Sequence, residues 1–449
     1  MLKTKLLLPV IAVLVTASCS SRSGEIIDPS KSSSSTSSYE NHDSYNAFLL
    51  NSPKKAFNSG NNVNEPSTAY INSLNTLSQD FYKKLFDDDN KIYSTISIAN
   101  CFSMLLEGAK ENSKAELEAF LHYDDSFNHL DEIKNTLLRN AINDEKNETY
   151  LDITQSFWTD SEFKKDQIKQ TYIDTLTNYY FAEAFNGDLR SDAMHGALAD
   201  YINDKTRGFL NVKKEDFKDF AGVLWLLNTV YLKSQWSETF REEANIEDKF
   251  NNLNNTEKQV TFMRKSDEYR SYYRKDNYTI SYIPLKHGLS FNVLLPDESS
   301  DYRSVLTNEQ ALNDLHNFIS YVNSRKAESA TVNFKVPQFK IQKSIDLASL
   351  LPTMGVNDIF DKNIANLRDI ADLKPNENLY VSKAKHEAGI ELKNEGLEAA
   401  AYTIIDVPKA TSVENPQVKY LDFFMDRPFA YTITNQDGIA LFTGVVTNL

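Results

Sequence analysis

The sequence predicts an α+β fold, with helices in the first half of the folded region and strands in the second. Apolar residues recur at helical spacing from Leu74, Leu77 and Phe81, whereas strand-like apolar runs dominate after Val223. The chain has 449 residues, 41% of them hydrophobic, which suffices for one large globular unit or two ordinary ones. Helices followed by many strands favour a large mixed sheet.

The individual elements follow from local pattern. Residues 70–86 are predicted to be helical, residues 91–100 to form a strand, and residues 102–110 to form an apolar helix. Ser113, with Glu116 three residues later, is predicted to cap the next helix. The later strands are predicted at residues 223–232, 260–263, 278–284, 291–295, 331–341 and 431–446.

Residues 1–18 predict an export signal. Lys3 and Lys5 precede an apolar core over residues 6–15, which is short for a transmembrane span. Small residues then lead to Cys19, and this arrangement resembles the lipobox of bacterial lipoproteins. The resemblance implies cleavage before Cys19 and lipidation of that residue; an ordinary signal peptide with an incidental cysteine is the alternative.

Lipidation would set the location of the protein. Several acyl chains on Cys19 would hold it on a membrane. Ser20 is compatible by analogy with sorting to an outer membrane, so we expect an exported protein that is lipid-anchored to a bacterial membrane, with the outer membrane as the expected one, and the cell surface as one of the two faces left open. Residues 19–67 are polar and serine-rich, which predicts a flexible tether that spans roughly 35 to 40 Å. Residues 68–449 are then a single folded domain.

Composition excludes several classes of function. A formal net charge of −15 disfavours nucleic-acid binding, since the phosphate backbone would be repelled. With Cys19 assigned to the anchor, Cys101 is left without a disulfide partner and is expected to pack as a small apolar residue. No nucleophile elbow, paired-histidine helix or phosphate-binding glycine loop occurs, and the seven histidines are scattered. We therefore expect no enzyme activity, no cofactor and no metal site.

A segment near the C-terminus alternates like a buried strand although its surroundings suit an exposed loop. Every second residue from Leu397 is apolar or small, namely Leu397, Ala399, Ala401, Thr403, Ile405 and Val407. The alternate set contains Glu398, Tyr402 and Asp406, while Gly396 precedes the segment and Pro408 follows it. A loop with a strand pattern predicts a conformational switch.

Short motifs occur in a fixed order between about residues 70 and 449. They are Tyr93-Ser94 with Ser97-Ile98, Gly108-Ala-Lys110, Tyr201-Ile-Asn203, Asn228-Thr-Val-Tyr-Leu-Lys-Ser-Gln-Trp236, Val336-Pro-Gln-Phe-Lys-Ile341, Met354-Gly-Val356, Leu379-Tyr-Val-Ser-Lys383 with His386, Asn394-Glu-Gly396, and Asp426-Arg-Pro-Phe429. Any one of them is weak evidence. The ordered set resembles the serpin family.

The resemblance implies a single domain of helices around three β-sheets, with an exposed reactive loop at about residues 394–423. It also implies a suicide inhibitor of serine endopeptidases, with cysteine endopeptidases as a further class. The protease would form an acyl-enzyme with the loop through its own nucleophile. The cleaved loop would then insert into the large sheet as a new strand and trap the protease.

The hinge of this loop corresponds to Glu395, Gly396, Leu397, Glu398, Ala399, Ala400 and Ala401. No charge falls on the inward set, and alanines are small enough to enter a packed sheet. Leu397 departs from the threonine or serine that the family prefers, which we expect to slow insertion without blocking it.

Family spacing places the scissile bond after Ala410 and before Thr411, with cleavage after Lys409 as the alternative. Trypsin-like proteases would recognise Lys409, whereas elastase-like or subtilisin-like proteases would recognise Ala410. We expect a monomer whose partners are these proteases and, through Cys19, a membrane.

Further family positions correspond to a gate through which the sheet opens: Ser94, Ser97, Asn228 and His386 beneath the central strands, and Trp236 where the loop enters. Thr95 stands where the family usually has proline. Outside this context His386 would be read as an exposed histidine. Asn394 replaces a usual glutamate, so the expected ion pair is absent or is made by Glu395.

Two other functions remain open from sequence. The first is a non-inhibitory serpin that binds a ligand or partner, supported by Leu397. The second is an unrelated glycan-binding surface lipoprotein. It would need clustered exposed tryptophans, and the chain has only Trp158, Trp225 and Trp236, each in an apolar context.

Overall fold

The computed structural model describes residues 6–16, 43–53, 63–161, 167–219, 222–375, 377–397 and 419–449. Within these residues no helix is both long enough and apolar enough to cross a membrane. The α-helices are α1 (Thr68–Leu85), α2 (Thr95–Leu106), α3 (Glu111–Leu121), α4 (His129–Arg139), α5 (Gln170–Tyr179), α6 (Asp192–Lys205), α7 (Tyr302–Leu306), α8 (Glu309–His316), α9 (Phe318–Asn323) and α10 (Leu347–Leu350).

Strands are the main regular structure in the second half of the chain, as the sequence predicted. They are β1 (Leu6–Thr16), β2 (Leu49–Asn51), β3 (Lys91–Tyr93), β4 (Ile142–Asp144), β5 (Thr149–Asp160), β6 (Glu183–Gly187), β7 (Leu224–Gln235), β8 (Ile246–Asn251), β9 (Glu257–Lys275), β10 (Tyr278–Pro284), β11 (Ser290–Pro296), β12 (Glu328–Pro337), β13 (Phe339–Asp346), β14 (Glu377–Leu392), β15 (Gly396–Leu397), β16 (Tyr420–Phe424), β17 (Phe429–Thr434) and β18 (Ala440–Val446).

The largest sheet, sheet A, has the order β2, β6, β5, β7, β14, β13, with β4 beside β5. In the described chain β7 and β14 do not pair with each other. Strand β1 pairs in parallel with both of them, and β15 pairs antiparallel with both at one end. We call the space between β7 and β14 the central slot. Sheet A therefore holds an additional strand at its centre.

The long strand β9 joins two further sheets. Its earlier residues pair with β8 and β12, and β12 pairs in parallel with the edge strand β16 to form sheet C. Its last residues pair with β10, which continues through β11, β17 and β18 to β3 as sheet B. The α+β fold with three sheets, expected from the resemblance, is confirmed.

Two hydrophobic clusters stabilise the domain. The main one lies between the helices and all three sheets and includes Cys101, which is fully buried as predicted. The smaller one lies between α6 and the other face of sheet A, and contains Trp158 and Trp225. Burial of these rings removes apolar area from water and so stabilises the fold.

Part of the predicted tether is folded. Residues Asp43–Phe48 form a 3₁₀ helix, and β2 follows it to pair antiparallel with β6 at the edge of sheet A. Tyr45 is buried in the smaller cluster and donates a hydrogen bond from its hydroxyl to Asp204 Oδ2 over 2.7 Å. The prediction of an unstructured tether is therefore wrong over residues 43–53.

Two local predictions were also wrong. Residues 95–100 are the start of α2, not a strand, because the Ser94 side chain caps the helix by accepting from the Ser97 backbone N–H. The next helix begins at Glu111 without a side-chain cap. Ser113 instead lies inside it, and its Oγ accepts from the Asn366 N–H over 3.0 Å.

Candidate functional site

The predicted hinge begins inside sheet A. Gly396 and Leu397 form β15, in which Leu397 lies opposite Leu392 of β14 and Ser234 of β7. A tight turn connects β14 to β15, since the Lys393 N–H donates to the Gly396 carbonyl over 3.0 Å. The first residues of the loop thus occupy one end of the central slot.

Gly396 is required at this point by the closeness of β7. A Cβ atom on residue 396 would lie 2.3 Å from the carbonyl oxygen of Ser234 and 2.6 Å from the Cα of Gln235. Both contacts are with backbone atoms, which cannot rotate away. Any side chain at this position would push β15 out of the slot.

Trp236 lies at the base of the hinge. Its indole Nε1 donates to the Lys393 carbonyl over 2.9 Å, and its backbone N–H donates to the Glu395 carbonyl over 3.0 Å. The ring is fully buried and packs edge-on against Phe240 and Phe291. Trp236 therefore fixes the turn from which the loop leaves the sheet.

Asn394 is held by neutral hydrogen bonds where the family usually has an ion pair. Its side chain exchanges two amide hydrogen bonds with Asn245, at 2.9 and 3.0 Å. Gln338 Nε2 also donates to its Oδ1 over 2.6 Å, and its Nδ2 donates to the Phe240 carbonyl. Within the described residues Glu395 forms no ion pair.

Three of the predicted gate residues meet at the start of α2. The Ser94 N–H donates to His386 Nε2 over 3.0 Å, and Ser94 Oγ accepts from the Ser97 N–H over 3.4 Å. All three side chains are buried, so the surface histidine expected outside the family context is excluded. Because burial lowers the pKa of His386 to about 3, its imidazole is neutral at physiological pH.

Asn228 stands across the central slot from His386. Both residues lie opposite Leu14 of β1, so they occupy one row of sheet A on the two sides of that strand. Within the described residues neither Asn228 Nδ2 nor Asn228 Oδ1 has a hydrogen-bond partner, and the same holds for His386 Nδ1 and Ser97 Oγ. Unpartnered buried polar atoms cost free energy. The row therefore has capacity for further hydrogen bonds.

Sequence reasoning missed one member of this row. Gln155 of β5 lies opposite Asn228, is buried, and has an unpartnered Nε2. The available signal was a polar residue on the same strand face as Ile153 and Phe157, two residues to either side. Thr95, noted as a departure from the family, is also buried, and its Oγ1 has no partner in the described chain.

Several predicted positions lie outside the described residues. These are Cys19, the hinge residues Glu398, Ala399, Ala400 and Ala401, and the bait residues Lys409, Ala410 and Thr411. The chain re-enters the structure at Lys419, directly before β16. Trp158, Trp225 and Trp236 are all fully buried, so the exposed tryptophan cluster needed for glycan binding is absent.

Comparison with known proteins places these features in a family. The family model for "Serpin (serine protease inhibitor)" matches residues 72–449. Serpin B4 of Homo sapiens is 28% identical over 402 residues, covering 83% of this chain and 99% of that protein. Neuroserpin of Mus musculus is 29% identical over 383 residues, covering 81% and 87%.

Solved structures share the fold. The crystal structure of the thermophilic serpin tengpin in its native state superimposes with a TM-score of 0.69 at 22% identity, covering 87% of this chain and 96% of that one. The structure of tengpin in its latent state gives a TM-score of 0.69 at 21% identity. At these identities the likeness concerns the fold alone.

Proposed function

The chain belongs to the serpin family, and we propose that it is a suicide inhibitor of serine endopeptidases, with cysteine endopeptidases as a further class. The protease nucleophile attacks the carbonyl carbon at the bait bond and breaks that peptide bond. The new amino group takes a proton, and the loop stays attached to the protease as an acyl ester or thioester. Insertion of the loop into sheet A then precedes deacylation.

The observation that carries this proposal is that β15 already occupies one end of the central slot. Strands β7 and β14 each pair with β15 and with β1 but not with each other. Sheet A thus accommodates a strand at the place where Gly396 and Leu397 point the loop. Insertion would add main-chain hydrogen bonds along both neighbours.

The register of β15 determines which loop residue meets which sheet residue. Continuing the antiparallel pairing from Leu397 along the slot brings Ala399 opposite Ile390 and Ala401 opposite Ala388. The next inward residue, Thr403, comes opposite both His386 and Asn228. The inward set therefore faces the main hydrophobic cluster, to which Ile390 and Ala388 belong.

The Thr403 hydroxyl would supply hydrogen-bond partners for the unpartnered atoms of His386 and Asn228. With Nε2 accepting from Ser94, the neutral His386 carries its proton on Nδ1 and can donate to the Thr403 hydroxyl. That hydroxyl can in turn donate to Asn228 Oδ1. Loop insertion would thus satisfy buried atoms that have no partner in the described chain.

The N-terminal segment bears on the same slot. We propose that residues 1–18 are removed on export and that lipidated Cys19 anchors the protein to a bacterial membrane. Removal of these residues takes β1 out of the slot and leaves it open to the loop. The fourteen residues from Leu397 to Ala410 would then extend about 46 Å, enough to carry an attached protease along the sheet.

The test is covalent trapping. The protein without residues 1–18 is incubated with a trypsin-like protease and an elastase-like protease, and the mixtures are resolved by denaturing electrophoresis with mass spectrometry of the cleaved loop. We expect a complex that survives denaturation and cleavage after Lys409 or Ala410. Cleavage without such a complex would contradict inhibition and favour the non-inhibitory alternative, in which Leu397 prevents insertion.

A further inference from the structure

Two exposed tyrosines lie on either side of strand β12 in sheet C, next to the C-terminal end of the reactive loop. Tyr269 of β9 and Tyr420 of β16 are 72% and 69% exposed, and they are the aromatic members of the exposed large hydrophobic residues in the described part of the chain. Both pair with Thr331 of β12, one from each side, so they share one face of the sheet about 10 Å apart. We call Tyr269, Thr331 and Tyr420 the tyrosine row.

Acidic side chains border this row. Asn333, two residues after Thr331 on the same face, donates from Nδ2 to Asp422 over 2.8 Å and accepts from the Asp267 N–H over 3.2 Å. Asp267 and Asp422 are exposed and form no ion pair within the described residues. The row therefore presents two aromatic faces beside two uncompensated carboxylates.

Three cations near the row are already paired with carboxylates. Lys265 and Arg270 both form ion pairs with Glu268, and Lys419 forms one with Glu328. The Lys419 carbonyl also accepts from the Thr331 N–H over 2.8 Å, which fixes the start of β16 against β12. Tyr420 is thus carried on a hydrogen-bonded strand and is presented in a defined position.

We propose that the tyrosine row is a docking site for the target protease. The row binds lysine or arginine side chains of the protease that lie beside the protease active-site cleft. This inference rests on the proposed function. Tyrosine rings and adjacent carboxylates together bind such cations by cation–π contact and ion pairing. Exposed tyrosines are also enriched among residues that dominate protein interfaces.

Position argues for the protease as the occupant. Only eight residues separate Thr411 from Tyr420, so a protease bound at the bait bond lies within about 30 Å of the row along an extended chain. A protease of about 230 residues has a radius of gyration of about 17 Å. Its surface therefore overlies the end of β16. A second copy of this chain would bring two acidic rows and two net charges of −15 together.

The experiment uses trypsins with one specificity and opposite surface charge. The rate of formation of denaturation-resistant complex is measured with cationic and with anionic trypsin for the wild-type protein, Tyr269→Ala/Tyr420→Ala and Asp267→Asn/Asp422→Asn. We expect both double variants to react roughly tenfold more slowly with cationic trypsin and to differ little with anionic trypsin. Added salt should reduce the wild-type rate more than that of the aspartate variant.

Ile364→Ala is the matched control. Ile364 is 57% exposed. The backbone carbonyls of Lys362 and Ala365, which flank it, accept hydrogen bonds from the Asn378 side chain. Asn378 lies near the start of β14, whereas β15 pairs with the other end of that strand. It should react like the wild type. Equal rates for the tyrosine variant and the wild type with cationic trypsin would overturn the inference and leave the proposed function intact.

Binding to an inactive trypsin separates the two claims. Cationic trypsin with its catalytic serine replaced by alanine cannot form an acyl-enzyme, so its affinity reports docking alone. Weaker binding of inactive trypsin by the tyrosine variant would support docking at the tyrosine row, even if active trypsin is not trapped. Failure to trap active trypsin would contradict only the proposed function. A dimer of the free protein that the tyrosine variant abolishes would instead overturn the inference in favour of a second copy.

Discussion

The backbone N–H of Ser94 donates to Nε2 of His386 over 3.0 Å, which ties the start of α2 to the middle of β14. A protonated imidazole has no lone pair with which to accept this bond. The contact therefore exists only while His386 is neutral, and burial keeps it neutral by lowering its pKa to about 3. Acid thus acts directly on the edge of the central slot.

The first prediction concerns pH. His386 has an ordinary pKa of about 6.5 when unfolded, so between pH 6.5 and 3 the unfolded chain binds a proton that the folded chain does not. As the pH falls below 6.5, the free energy of unfolding should decrease by about 1.4 kcal/mol per pH unit. At pH 5 it should therefore be about 2 kcal/mol lower than at neutral pH. Above pH 6.5 this contribution is constant.

Thermal unfolding at pH 7.5 and pH 5 checks this prediction. His386→Gln should show a smaller drop in midpoint between the two pH values than the wild type. Some drop should persist, since burial also lowers the pKa of His316, to about 4. The control is His122→Gln, because the His122 side chain is 35% exposed. An equal drop in wild type and His386→Gln would contradict the assignment.

The second prediction concerns the hinge. In Gly396→Ala the new Cβ would clash with the Ser234 carbonyl, so β15 should leave the central slot and insertion should become slower. More inhibitor should then be cleaved per protease trapped, which titration of protease activity measures. Gly196→Ala in α6 is the control, because a Cβ there meets no heavy atom within 4 Å. Unchanged stoichiometry for Gly396→Ala would count against hinge insertion at β15.

The third prediction concerns the register of the inserted loop. Thr403→Arg would bury a charge between His386 and Asn228, which is expensive without a partner. This variant should be cleaved at a normal rate but should trap almost no protease. Tyr402→Arg, one residue earlier and on the opposite face, should still trap it. If the two variants trap equally well, the register derived from Leu397 is wrong.

The fourth prediction concerns the folded part of the N-terminal segment. Tyr45 is 7% exposed and packs edge-on against Tyr201 with ring centroids 5.3 Å apart. Tyr45→Ala should cost about 3–5 kcal/mol of stability, as for other buried aromatic truncations. Leu50→Ala, at a site that is 49% exposed, should cost less than about 0.5 kcal/mol. Equal thermal midpoints for the two variants would show that this segment is not packed in solution.

Much of the fold could be predicted from the sequence because periodicity reports burial. The spacing of Leu74, Leu77 and Phe81 gave α1, and the apolar run after Val223 gave β7. Of the strand period that starts at Leu397, the structure describes only its first residue, which lies in β15, so the rest of that pattern stays a prediction. These signals depend on one buried face and need no knowledge of distant contacts.

The errors occurred where distant contacts decide the structure. Every residue of α2 is buried, so the helix has no polar face, and its β-branched start resembles a strand. Tyr45 folds onto α6 and β6, more than 130 residues away in sequence. Gln155 joins Asn228 only through the pairing of β5 with β7. Such partners cannot be read from a local pattern.

The central claim is that sheet A gains a strand, and stability, when the loop is cut. The most direct measurement is the thermal midpoint of the protein without residues 1–18, before and after cleavage of the loop by a protease that is then removed. The account predicts a cleaved form that melts well above the intact one, with Thr403→Arg showing little gain. A cleaved wild-type protein that melts at or below the intact midpoint would contradict it.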